Sequence, residues 1–259
     1  MNNKTLEESI SMAMECTNIN LVKYLPYILQ DFWKLGSSPE EIIEIIKKYK
    51  SDYSNINILD LGSGKGAVSI NISSKLGCRC FGIDAIEDFV VFSKNKAKEY
   101  LVDNICAFEK NDIRERIKTL GKFDVIILGA IGPVFGDYYS TLTQLTPHLL
   151  RGGLLIICDA YVEDGHKTDY PGVFQKREIW EQIDNAGMEI LEEKTNFDDT
   201  GIELEYQNEY NNLNKRCMEL IEKYPENKEI LLEYSESQKE LYWKLSNEVT
   251  GVLFVIRKK

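Results

Sequence analysis

The chain has 259 residues, 43% of them hydrophobic and 28% charged, which excludes a disordered chain and is enough to bury the core of one large or two small domains. Its 42 acidic and 31 basic residues give a net charge of −11, which repels phosphate backbones and argues against a nucleic-acid partner. The opening Met1–Glu8 segment lacks the pattern of a signal peptide, the longest apolar run falls short of the ~20 residues of a membrane span, and six scattered cysteines read as reduced thiols in the cytosol.

Residues 1–50 read as a helical cap. Leu21, Tyr24, Leu25, Ile28, Leu29 and Phe32 form an apolar helical stripe, and Gly36-Ser37 punctuates the chain after it. Ser38-Pro39-Glu40-Glu41 then has the form of a capping box with proline at the first helical position, followed by Ile42, Ile43, Ile46 and Tyr49 at helical spacing.

The period changes after Ile56. Apolar runs at Ile56–Leu61, Cys80–Ile83, Phe123–Leu128 and Leu154–Cys158 alternate with helical patterns at Ala67–Leu76, Phe89–Tyr100 and Leu142–Leu150. Strands that are apolar on both faces, separated by amphipathic helices, predict a parallel sheet covered on both sides. A helix carrying Ile179, Trp180 and Ile183 ends at Gly187, and Met188–Leu191 is a further strand. Residues 200–248 break the alternation with two helices separated by Pro225, and Val249–Arg257 returns as an apolar strand. The predicted organisation is a core of residues 51–199 plus 249–259, with the 1–50 cap and a 200–248 helical insertion.

The most informative stretch is Asn57-Ile58-Leu59-Asp60-Leu61-Gly62-Ser63-Gly64-Lys65-Gly66, which leaves a strand and opens a helix. Glycines there let the backbone turn sharply and approach a ligand, and the helix start offers unpaired N–H groups. Gly62-x-Gly64-x-x-Ala67 alone also satisfies a dinucleotide fingerprint, so a nicotinamide-dependent oxidoreductase is the rival reading. Asp60, two residues before the first glycine, disfavours a pyrophosphate and suits a cationic ligand. Cys78-Arg79-Cys80 has no further ligands to complete a metal site, so no metal is predicted.

Taken together, Ile58–Gly66, the acid Asp84 ending Phe81-Gly82-Ile83-Asp84, the acid Asp112 in Asn111-Asp112-Ile113, the fourth strand with Leu128-Gly129-Ala130, and the Arg151-Gly152-Gly153 turn resemble the class I S-adenosylmethionine-dependent methyltransferase family, in order and register over residues 55–160. The resemblance implies a doubly wound, Rossmann-like α/β fold with a seven-stranded sheet, its last strand antiparallel. It also implies S-adenosylmethionine as cofactor, with contacts at Asp60, Gly62, Ser63, Gly64, Gly66, Asp84, Ala85, Ile86, Asp112, Ile113 and Gly129. Asp84 is expected to accept from the ribose hydroxyls, with little influence on the stability of the apo fold. Asp112 and the Ile113 N–H are expected at the adenine edge, and Ile86 against its face.

Methyl transfer needs positioning, plus a base where the nucleophile carries a proton. Residues after strands four and five are the pool for that base, with Asp159, Tyr161 and His166 as catalytic candidates beside Asp137, Tyr138, Tyr139, Glu163 and Asp164. Gly129-Ala130-Ile131-Gly132-Pro133 stands where amino-methylating nucleic-acid enzymes have an Asn/Asp-Pro-Pro-aromatic motif, so the acceptor is expected to be a small molecule. Tyr24, Tyr27, Trp33, Tyr206, Tyr210, Tyr234, Tyr242 and Trp243 are aromatic candidates for lining a mobile lid. A protein that binds the cofactor without turning it over is the non-enzymatic alternative.

Overall fold

The alternation of apolar strands and helices between residues 56 and 160 forms the sheet that the rest of the chain is built on. The computed structural model describes residues 4–195 and 202–259. In chain order the elements are α1 (Leu6–Ala13), α2 (Leu25–Ile28), α3 (Pro39–Tyr49), β1 (Asn57–Leu61), α4 (Ala67–Leu76), β2 (Arg79–Asp84), α5 (Glu87–Glu99), β3 (Cys106–Lys110), α6 (Ile113–Arg116), β4 (Phe123–Gly129), α7 (Tyr138–Leu145), β5 (Leu149–Val162), β6 (Phe174–Gln175), α8 (Lys176–Asn185), β7 (Met188–Lys194), α9 (Ile202–Lys223), α10 (Lys228–Asn247) and β8 (Thr250–Lys258).

Seven strands run in the order β3-β2-β1-β4-β5-β8-β7, with β6 added alongside the end of β5. Pairs β3–β2, β2–β1, β1–β4 and β4–β5 are parallel, whereas β8 runs antiparallel to β7. This is the doubly wound, Rossmann-like architecture, with the order reversing between β1 and β4. Ligands of such sheets bind at the carboxyl ends of the strands beside that reversal. Leu59, Asp60 and Leu61 are buried in succession, so both faces of β1 are covered. Gly66 and Gly77 both adopt left-handed φ and delimit α4, which packs on β1 and β2.

The chain divides into two compact units. One holds residues 33–159, 177–194 and 252–259 and contains the sheet; the other holds residues 1–32, 160–176 and 195–251. The 1–50 segment expected as one cap is therefore divided, since α3 packs on α4 and falls with the sheet. The expected boundary at 199/200 lies outside the described residues. In the second unit α9 and α10 pack on each other, and α2 packs on α9. Tyr27 donates to Glu219 at 2.7 Å, and Arg216 bonds Asp31 at 2.6 and 2.9 Å.

Two expected elements are corrected. The stripe from Leu21 to Phe32 is split into a 3₁₀ turn (Ile19–Tyr24) and the short α2, because Pro26 has no N–H to continue the hydrogen-bond ladder. The helix expected over Leu142–Leu150 ends at Leu145; Thr146–His148 is a 3₁₀ turn around Pro147, and Leu149 already belongs to β5. The Ser38 capping box is half formed: Ser38 Oγ accepts from Glu41 N at 3.3 Å, while the Glu41 carboxylate pairs with Lys194.

Candidate functional site

The turn from β1 into α4 is held open by hydrogen bonds from its own backbone. Gly62 N and Ser63 N donate to Ile83 O at 2.8 and 3.0 Å, which ties the turn to the end of β2. Gly62, Gly64 and Gly66 all sit at left-handed φ (+73°, +52° and +74°), where a side chain is strained. Close neighbours add a second constraint: a Cβ at Gly62 would lie 2.4 Å from Ile131 Cγ2, and one at Gly66 would lie 2.7 Å from Phe108.

Asp84, buried at the end of β2, accepts from Gly64 N at 2.8 Å through Oδ2 and from Ile86 N at 2.9 Å through Oδ1. Burial raises its proton affinity, and these backbone donors oppose the rise. A carboxylate has about four acceptor sites, so capacity for further donors remains. Ala85 and Ile86 follow at the start of α5, both half-buried.

Asp60 is enclosed, 2% exposed, and accepts from Ser69 Oγ in the first turn of α4 at 2.6 Å. Burial pushes its pKa up to about 6, against the Ser69 bond and with help from the nearby Asp84 charge. The sequence suggested a carboxylate facing a cationic ligand. In the fold Asp60 instead locks α4 to β1 and acts on the site through the loop it holds.

Asp112 caps α6. It accepts from Arg114 N at 2.9 Å and pairs with the Arg114 guanidinium at 2.7 Å. Burial opposes its charge, but the Arg114 bonds outweigh that and leave its pKa below the ordinary carboxylate value. An amine can reach this carboxylate only if Arg114 yields. Ile113 beside it is buried.

The end of β4 is also closely built. Ala130 adopts left-handed φ (56°), a strained conformation for alanine, and its N–H donates to Cys158 O at 3.0 Å. Residues 33–37 cross this region. Trp33 Nε1 donates to Lys65 O at 3.1 Å, and Leu35 Cδ1 lies 3.1 Å from the Cβ position of Gly64. A Cβ on Gly36 would sit 2.7 Å from Ala130 Cβ, and one on Gly129 would sit 2.7 Å from Ser37 Oγ. Ser63 Oγ and Ser37 Oγ are both buried without a hydrogen-bond partner, Ser37 beside the weakly polar Cys158 thiol.

Two buried, unpaired hydroxyls beside a glycine turn with no room for side chains fit a polar ligand laid across the ends of β1 and β4. Leu35, Gly36 and Ser37 were missed from sequence because the stretch resembles simple punctuation between helices. Only the fold brings it over the glycine turn.

The catalytic candidates differ in their partners. Asp159 and Tyr161, expected after the fifth strand, lie within β5, which runs on to Val162; Asp159 accepts from the buried Tyr138 hydroxyl at 2.7 Å through Oδ2. Burial first, then the Asp159 charge, holds Tyr138 well above the ordinary phenol range, so it stays a proton donor to Asp159. Asp137 is the cap of α7, accepting from Ser140 N at 2.8 Å. Tyr161 and His166 belong to the other unit. Tyr161 is buried and accepts from Lys176 Nζ at 3.2 Å; His166 is exposed in a turn closed by its N–H to Glu163 O.

A family model described as a methyltransferase domain matches residues 52–248. A curated relative, the ubiquinone biosynthesis O-methyltransferase of Rickettsia bellii, is 27% identical over 171 residues, 59% of this chain and 70% of its own length. Among solved structures, an S-adenosylmethionine-dependent methyltransferase from Geobacter sulfurreducens in complex with S-adenosyl-L-homocysteine superposes with a TM-score of 0.76 at 16% identity, covering 92% of this chain and 98% of its own. One from Thiobacillus denitrificans, in complex with the same compound, gives 0.74 at 18% identity over 92% of this chain and 98% of its own.

Proposed function

The chain belongs to the methyltransferase-domain family; we propose that it is an S-adenosylmethionine-dependent enzyme that methylates a small molecule, with the cofactor lying across the carboxyl ends of β1, β2 and β4. The observation that carries this placement is the glycine turn with its two unpaired buried hydroxyls, Ser63 and Ser37. Bound there, S-adenosylmethionine supplies an electrophilic methyl group on a sulfonium centre.

The residues of the chain do the rest. Gly62, Gly64 and Gly66 let the turn close against Ile131, Leu35 and Phe108 while its backbone faces the ligand, and Ser63 and Ser37 hydrogen-bond it. Asp84 offers its remaining acceptor capacity to a ribose hydroxyl while keeping the turn fixed. Ala85 and Ile86 flank the base, and Ile113 with Asp112 meets its edge once Arg114 moves aside. Gly129, without a side chain, lets Ser37 Oγ come close to the end of β4. Asp159, oriented by Tyr138, takes the proton from a hydroxyl acceptor. Acceptance at oxygen is favoured by the O-methyltransferase among the curated relatives. Net charge of −11 opposes a nucleic-acid acceptor, and six free thiols suit a reducing cytosol.

Labelled methyl groups incubated with the enzyme and a cell extract are expected in dialysable products. Label retained on RNA or protein overturns the small-molecule reading. Asp159→Asn is expected to lower kcat by about 10²–10⁴-fold with S-adenosylhomocysteine affinity unchanged. An unaltered rate removes Asp159 as the base.

A further inference from the structure

The α9–α10 hairpin changes character along its facing sides. Near the Pro225 turn these sides are Leu213, Cys217 and Leu220 on α9 and Leu231 and Tyr234 on α10, all buried. Away from the turn the same faces continue, at spacings of three and four, as Tyr206 and Glu209 on α9 and as Gln238 and Tyr242 on α10.

The polar end has a definite chemistry. Tyr206 and Tyr242 place their ring centroids 5.2 Å apart, and the Tyr242 hydroxyl lies beside the Glu209 carboxylate. Glu15, at left-handed φ (51°), accepts from the Tyr170 hydroxyl at 2.7 Å, and its charge also reaches Tyr242 and Tyr234. Burial dominates at both Glu15 and Glu209 and raises their proton affinity. Among the described residues no base pairs with either carboxylate; their side-chain partners are tyrosines. Gln238 lies one turn from Tyr234 and one turn from Tyr242 on the same face. It is 7% exposed, and its Nε2 has no hydrogen-bond partner.

We propose that Glu15, Glu209, Tyr170, Tyr206, Tyr242 and Gln238 bind a small organic cation that also carries a hydrogen-bond acceptor. Two half-buried carboxylates reject an anion, and a neutral apolar guest would strip them of water without compensation. A cationic nitrogen restores that lost interaction, and tyrosine faces favour an alkylammonium further. An oxygen on the guest takes the idle Gln238 amide. A metal ion is a poorer fit, because among the described residues no three His, Cys, Asp or Glu side chains converge. The site lies within the helical unit, and the inference stands independently of the methyl-transfer reading.

Calorimetric titration of the full chain with choline, and with its uncharged isostere 3,3-dimethylbutan-1-ol, tests the charge. Choline is expected to bind at least 10-fold more tightly. Glu209→Gln should weaken choline by 10-fold or more while S-adenosylhomocysteine affinity stays unchanged. Gln238→Leu should weaken choline several-fold yet leave tetramethylammonium, which has no oxygen, unaffected. Equal binding of choline and the isostere, absence of choline binding at millimolar concentration, or insensitivity to Glu209→Gln overturns the proposal.

Discussion

Replacing Asp84 by alanine tests whether this carboxylate holds the glycine turn as well as the ligand. The substitution removes the acceptor from Gly64 N (2.8 Å) and from Ile86 N (2.9 Å). Hydrogen bonds to a charged group contribute about 1.5–3 kcal/mol each. Two offsets apply: both donors belong to half-buried residues that water can partly reach, and losing a buried charge relieves the desolvation that raises the Asp84 pKa. A net loss of about 2–3 kcal/mol is expected. For a chain of this size that lowers Tm by roughly 5–10 °C. Asp84→Asn keeps one carbonyl acceptor and should lose about half as much. Differential scanning calorimetry of the ligand-free variants measures the loss, and titration with S-adenosylhomocysteine measures the binding role separately. This reverses the expectation drawn from the sequence, in which Asp84 contacts ligand and leaves the apo fold nearly unchanged. An alanine variant that melts within 1–2 °C of the parent (below about 1 kcal/mol) refutes the turn-holding role.

Two further outcomes are expected. The Asp60 pKa, about 6 in the fold against 3.8 when unperturbed, means that the folded state holds this proton more tightly than the unfolded chain. Its stabilising contribution is complete below about pH 4 and is lost as pH rises through 6, by roughly 3 kcal/mol in all. Urea denaturation at pH 4.5 and 7.5 should therefore show the stability of the parent falling relative to Asp60→Asn as pH rises, and a constant difference contradicts the assignment. At Gly62 a Cβ meets Ile131 Cγ2 at 2.4 Å with φ at +73°, so Gly62→Ala should cost about 2–4 kcal/mol and weaken S-adenosylhomocysteine at least 10-fold. Gly121→Ala, with nothing within 4 Å, is the neutral control, and equal behaviour of the two rejects the close-approach argument.

Much of the core was legible before any tertiary contact was known. Short continuous apolar runs located β1, β2, β4 and the inner part of β5, and α4 falls at Ala67–Leu76 as the pattern predicts. Those features are local: strand and helix periodicity, proline's missing donor and glycine's left-handed conformations are written in adjacent residues. The order of β1, Asp84 and Asp112 along the chain likewise carried the cofactor reading. Other features needed the folded chain. The position of β8 between β5 and β7 follows from which sheet edge remained open, not from its own apolar pattern. Asp84 looked like a ligand contact alone until the Gly64 N–H was found on it, 20 residues away. Leu35, Gly36 and Ser37 carry no motif, yet they lie against Gly64, Ala130 and Gly129. The polar end of the α9–α10 seam depends likewise on Glu15 and Tyr170, which are 155 positions apart. Local pattern determines which segments become strands and helices, because that choice is made by backbone sterics and the burial of one face. Which side chains then meet is decided by packing between segments distant in sequence, where close fit and the need to satisfy buried polar groups outweigh the preferences of any single stretch.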